Sequence, residues 1–123
     1  MSSVLSSVWH TIKLIETFGQ DVTIYRYSIS VDENGNIENE TCYDTISTKA
    51  WVFHFGGYME AYDLYGYRVQ GDFAICVPGT VEVDTTDKVK LVDGTVCRVR
   101  EIVKHYDLND VAYIEIVGQK EST

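Results

Sequence analysis

Apolar residues near the start of the chain fall at Leu5, Val8, Trp9, Ile12 and Ile15, the three-and-four spacing of one helix face. Ser2 and Ser3 can cap the first turn, and Gly19 stands where such a helix would stop. This pattern predicts an amphipathic helix over residues 3–18. From Asp21 the period changes: Val22, Ile24, Tyr25, Tyr27, Ile29 and Val31 form a run dense in β-branched and aromatic side chains, which predicts a strand. Asp32-Glu33-Asn34-Gly35-Asn36 then carries the Asn-Gly pair that tolerates the positive φ of a tight hairpin. A return strand is expected over 37–43 and another over 49–55, where Trp51, Val52 and Phe53 lie.

The segment 55–67, Phe55-Gly56-Gly57-Tyr58-Met59-Glu60-Ala61-Tyr62-Asp63-Leu64-Tyr65-Gly66-Tyr67, has neither period and predicts a long aromatic loop. A buried strand over 72–77 follows, closed by the turn pair Pro78-Gly79. Two short strands flank Asp93-Gly94, the second over 96–103, and the last strand covers 111–117 after a polar turn at 105–110. One helix followed by six or seven hairpin-linked strands, without βαβ alternation, predicts a mainly β fold. It would be a small antiparallel β-barrel or sandwich with an N-terminal amphipathic helix, one domain over 1–123 with the barrel at 21–118. The single proline suits strands whose backbone N–H groups are all needed as donors.

With 123 residues, the chain is long enough for one core and too short for two. Nineteen acidic against ten basic residues leave a formal charge of −9, which disfavours a protein that grips nucleic acid through its phosphates. No apolar run approaches the length needed to span a bilayer, so no membrane segment is expected. Lys13 and Glu16 interrupt the N-terminal apolar pattern, so no secretory signal is expected and the chain is read as made inside the cell. Cys42, Cys76 and Cys97 are odd in number and widely spaced, which predicts buried reduced thiols rather than disulfides or a zinc site.

Catalytic sets are not found. His10, His54 and His105 are scattered and read as structural. Asp32-x-Asn34-x-Asn36 resembles a calcium loop in its alternating oxygens, but Ile37 occupies the position that needs glycine, and a hairpin turn is the better reading. Asn39-Glu40-Thr41 matches a glycosylation acceptor that has no secretory route, and Gly56, Gly57 and Gly66 lack the context of a phosphate loop. The expectation is a non-enzyme with no metal and no cofactor. Tyr58, Met59, Tyr62, Leu64, Tyr65 and Tyr67 are of the types enriched in interface cores, and they form the leading candidate surface. Cover for the barrel core and a base-stacking face are the other readings of this segment.

Four segments follow one another along the chain: Phe18-Gly19-Gln20-Asp21-Val22-Thr23-Ile24-Tyr25-Arg26, Lys49-Ala50-Trp51-Val52, Gly66-Tyr67-Arg68-Val69-Gln70-Gly71-Asp72-Phe73 and Thr86-Asp87-Lys88-Val89-Lys90-Leu91-Val92-Asp93-Gly94-Thr95-Val96-Cys97-Arg98-Val99. Their order resembles the head completion, or head–tail joining, proteins of tailed bacteriophages, and the resemblance covers about residues 15–104. It implies a small β-barrel whose C-terminal hairpin sets a strand beside the first one. It also implies a ring homo-oligomer in the virion neck, made in the host cytoplasm. Its partners would be a portal or adaptor protein on one side and a tail tube or tail completion protein on the other, with DNA passing through without tight binding, gated by loops in some members of the family. Trp9 joins the aromatic segment as a candidate interface residue, because apolar area must offset repulsion between subunits of charge −9. Asp32, Glu33, Glu38 and Glu40 are candidates for a channel-facing tip. The alternative is a small β-barrel module binding a ligand or peptide in a tyrosine-lined pocket.

Overall fold

The computed structural model describes residues 3–62 and 68–121, with side chains described over 8–53 and 71–121. Its elements are α1 (Ser3–Phe18), β1 (Gln20–Val31), β2 (Ile37–Tyr62), β3 (Arg68–Pro78), β4 (Lys88–Lys90), β5 (Val96–Asp107) and β6 (Asp110–Lys120). The fold is mainly β, with a single helix at the N-terminal end. All strand pairs are antiparallel, in the order β1-β2-β3-β6-β5-β4, and β4 returns to β1 to close a barrel. Closure is uneven. The seam is the three-residue β4, which pairs Thr23 with Lys90, Ile24 with Val89 and Tyr25 with Lys88.

The barrel interior is filled by alternate residues of each strand, as the two-residue period of a pleated strand requires. Val22 and Ile24 of β1, Ile75 and Val77 of β3, Val89 of β4 and Ile114 and Ile116 of β6 are all essentially inaccessible to solvent. The opposite faces of β3 and β6 are also covered, because Val8 and Ile15 of α1 pack on Cys76 and Tyr113. This double burial explains why 73–77 reads as a continuous apolar run rather than an alternating one. Val8 and Ile15 are seven residues apart, so they share a helix face, and Ile12 extends the same stripe.

Two hairpin turns behave as their sequences predict. Gly35 and Gly94 have φ of 82° and 93°, a conformation that costs glycine little. In the first turn, Asp32 Oδ1 accepts the backbone N–H groups of Asn34 and Asn36, each at 2.9 Å. The calcium-like pattern is therefore an Asp-capped hairpin turn, with that carboxylate oxygen turned onto backbone.

Three expectations need correction. The strands expected over 37–43 and 49–55 are one strand, β2, and it continues to Tyr62, so 55–62 is strand and not loop. Met59, Glu60, Ala61 and Tyr62 pair with Gly71, Gln70, Val69 and Arg68, making an extended β2–β3 hairpin, while residues 63–67 lie outside the described residues. The register shifts between His54 and Met59, and such an irregularity erases the alternation that would have marked a strand. The turn expected over 105–110 is much tighter: β5 runs to Asp107 and β6 begins at Asp110, leaving Leu108 and Asn109, with Leu108 at φ 57°. Finally, Cys42 is exposed, whereas Cys76 and Cys97 are buried.

Candidate functional site

The feature that departs most from a closed barrel is the outer half of the β1–β2 hairpin. β1 is bonded to β4 only over 23–25, and β2 meets β3 only from Trp51 onward. Between these limits the two strands have only each other, from Arg26–Asp44 pairing out to Val31–Ile37. Every residue from 33 to 45 is exposed, and because successive strand residues face opposite ways, both faces of this arm meet solvent. Val31, Ile37 and Tyr43 are large apolar side chains, each more than half exposed on it.

The base of the arm is fixed by a buried carboxylate. Asp87 is 2% exposed, its Oδ1 accepting the Tyr27 N–H at 3.1 Å and its Oδ2 the Asp84 N–H at 2.8 Å. Arg26 lies against the same carboxylate, with Nε 2.8 Å from Oδ2, and donates from Nη1 to Glu82 Oε2 at 3.1 Å. Burial works against the Arg26 charge, but Asp87, Tyr43 and Glu82 outweigh it and push the guanidinium above its ordinary range. The Thr86 hydroxyl donates to the Tyr27 carbonyl, tying the loop before β4 to the arm a second time.

Beside this clamp, a cleft of about 300 Å³ separates the arm from the β4–β5 hairpin, lined by Ile29, Ile37, Glu40, Lys88, Arg98 and Glu121 among others. Lys88 donates to Glu121 across 3.0 Å and stands 5.1 Å from the centre of the Tyr27 ring. The bond to Glu121 is the main reason the Lys88 ammonium is raised above its ordinary value. On the same face Arg98, opposite Lys88 and at the wall of the cleft, is exposed together with Lys90 and Arg100, and none of the three forms an ion pair with any described residue.

The residues singled out from sequence are distributed as follows. Trp9 is 55% exposed on α1. Tyr58, Met59 and Tyr62 have backbone in β2, while Leu64, Tyr65 and Tyr67 lie outside the described residues. Glu33, Glu38 and Glu40 are exposed on the arm, and half-buried Asp32 is turned onto the hairpin backbone. The arm therefore brings the acidic group together at one end of the molecule, apart from Trp9. Sequence reading missed the buried Asp87 and the cationic face. The second had a visible signal in the alternation Lys88-Val89-Lys90 and Cys97-Arg98-Val99-Arg100, which sets cations on one side of two paired strands.

Groups with chemical potential elsewhere are engaged. His105 Nε2 donates to Glu115 Oε1 at 3.0 Å, and its ring stacks on Tyr113 with centroids 4.3 Å apart. Burial pushes the Cys76 and Cys97 thiols up to about 12, where they are protonated and inert at neutral pH. Among the described residues, no three His, Cys, Asp or Glu side chains gather in a way that could hold a metal ion, and no helix is long and apolar enough to cross a membrane.

Fold and surface together define a mainly β barrel with a projecting two-stranded arm and a cationic face beside it. No family model and no curated protein matches the chain.

Proposed function

We propose that this chain is a structural subunit of a ring in the neck of a tailed bacteriophage, joining the portal side of the DNA-filled head to the tail. It acts through shape and interface chemistry and not as an enzyme, without a cofactor. The observation that carries the reading is the pairing of β4 with β1: the Asp93-Gly94 hairpin sets a strand beside the first one, the arrangement that the resemblance implies. The described residues of the other resembling segments lie at the end of α1 with β1, in the middle of β2 and at the start of β3, all in or beside one barrel. A net charge of −9 suits a subunit past which DNA travels without being held. The partners are further copies of the chain, a portal or adaptor protein, and a tail tube or tail completion protein.

Light scattering of the purified protein with and without a portal ring tests this. The expected result is a stoichiometric, larger assembly. Failure to join the ring, together with saturable binding of a small ligand or peptide, would overturn the neck reading in favour of a binding module.

A further inference from the structure

We propose that the β1–β2 arm of one copy lies across the outer face of the β4–β5 hairpin of the next copy, a head-to-tail contact between two different surfaces of the same chain. The inference takes its closed symmetry from the ring reading above. Its surfaces are argued from the molecule itself.

A two-stranded ribbon without a third strand or a packed face is marginal in water. This arm is long, exposed on both faces over 33–45, and carries Val31, Ile37 and Tyr43 into solvent. Such a ribbon is stabilised when it is laid on a partner. Its charge selects which partner: Asp32, Glu33, Glu38, Glu40 and Asp44 fall between Arg26 and Lys49, and no cation interrupts them. Arm against arm would set carboxylates on carboxylates, which excludes a two-fold contact through this surface. The complementary surface stands on the same chain, where Lys90, Arg98 and Arg100 are exposed and unpaired among the described residues. Lys88 on this face is already engaged by Glu121, with Glu40 adding to the field on it, so the three unpaired cations are those left for a neighbour. An acidic arm meeting a basic face is heterologous, and a heterologous contact gives a closed ring when its rotation closes and an open filament when it does not; the ring reading selects the first. On this reading the arm acids face a neighbouring subunit and not a central channel.

The test uses two charge-reversed proteins, Glu33→Lys with Glu38→Lys on the arm, and Lys90→Glu with Arg98→Glu on the face. These side chains are exposed, so circular dichroism melts are expected to match the parent. In sedimentation velocity at low salt the parent associates, each reversed protein alone associates at least about tenfold more weakly, and an equimolar mixture of the two regains association. A parent that stays monomeric, reversals without effect, or a mixture that does not recover would each overturn the inference. Association that survives both reversals while the parent still joins a portal ring leaves the neck reading standing and removes this contact. Recovery in the mixture with no joining to a portal does the opposite.

Discussion

Arg26 Nε sits 2.8 Å from Asp87 Oδ2, yet its N–H is not aimed at that oxygen or at any other acceptor, so the two are held by charge rather than by a linear hydrogen bond. The carboxylate is directed instead at two backbone donors, Tyr27 and Asp84. Removing it leaves the largely buried guanidinium with only the exposed Glu82 as a counter-charge and deprives two N–H groups of their acceptor at once. Asp87→Ala is expected to cost about 3–5 kcal/mol in urea unfolding. A loss under about 1 kcal/mol would mean that water replaces the carboxylate without penalty.

Alkaline pH should destabilise the fold through its thiols. Cys76 and Cys97 are raised by burial from 9.0 to about 12, Cys76 further by Glu115 and Cys97 by Asp72. A group raised on folding contributes fully below its unfolded value and loses that contribution as pH climbs toward the folded one. Between pH 9 and 12 the unfolded chain therefore releases protons that the folded chain keeps, and stability falls by up to about 1.4 kcal/mol per pH unit per thiol. Melting temperature followed through this window should drop steeply in the parent and less steeply in Cys97→Ala.

Leu108 is 93% exposed and holds φ at 57°, in a turn where asparagine or glycine would sit more easily. Leu108→Asn should raise stability by roughly 0.5–1 kcal/mol, read as a higher denaturant midpoint with an unchanged slope. A lower midpoint would show that the leucine packs on something that matters to the folded monomer.

The two sides of α1 should separate packing from assembly. Ile15, 5% exposed against the barrel wall, is expected to cost about 2–4 kcal/mol on truncation to alanine. Trp9→Ser, at a 55% exposed position, should leave stability within about 0.5 kcal/mol of the parent. If Trp9 is an interface residue, the same substitution weakens joining to the portal ring in light scattering.

Local chemistry was legible wherever one residue type decides the backbone. The helix over Ser3–Phe18, the turns at Gly35 and Gly94 and the mainly β class all follow from periodicity and turn residues. Long-range order was not. The continuity of β2 is hidden by register shifts, because each one moves the apolar positions to the other face. Ile29 and Val31 read like core strand residues but belong to the arm, and nothing local distinguishes a β-branched residue in a barrel wall from one in a free ribbon. Asp87, between Thr86 and Lys88, resembles any polar residue of a surface loop. Its burial depends on β1 and the loop before β4 meeting around it.

The place of β6 in the ring has a consequence for how the molecule is made. It is the last strand in chain order, yet it sits between β3 and β5. On a chain emerging from the ribosome, the β1–β2–β3 sheet forms first, with the bonding edge of β3 and the apolar residues Ile75 and Val77 uncovered. That edge is a template for a strand from any neighbouring chain until β6 arrives. Mispairing between neighbouring nascent chains therefore competes with barrel closure until the last strand is made.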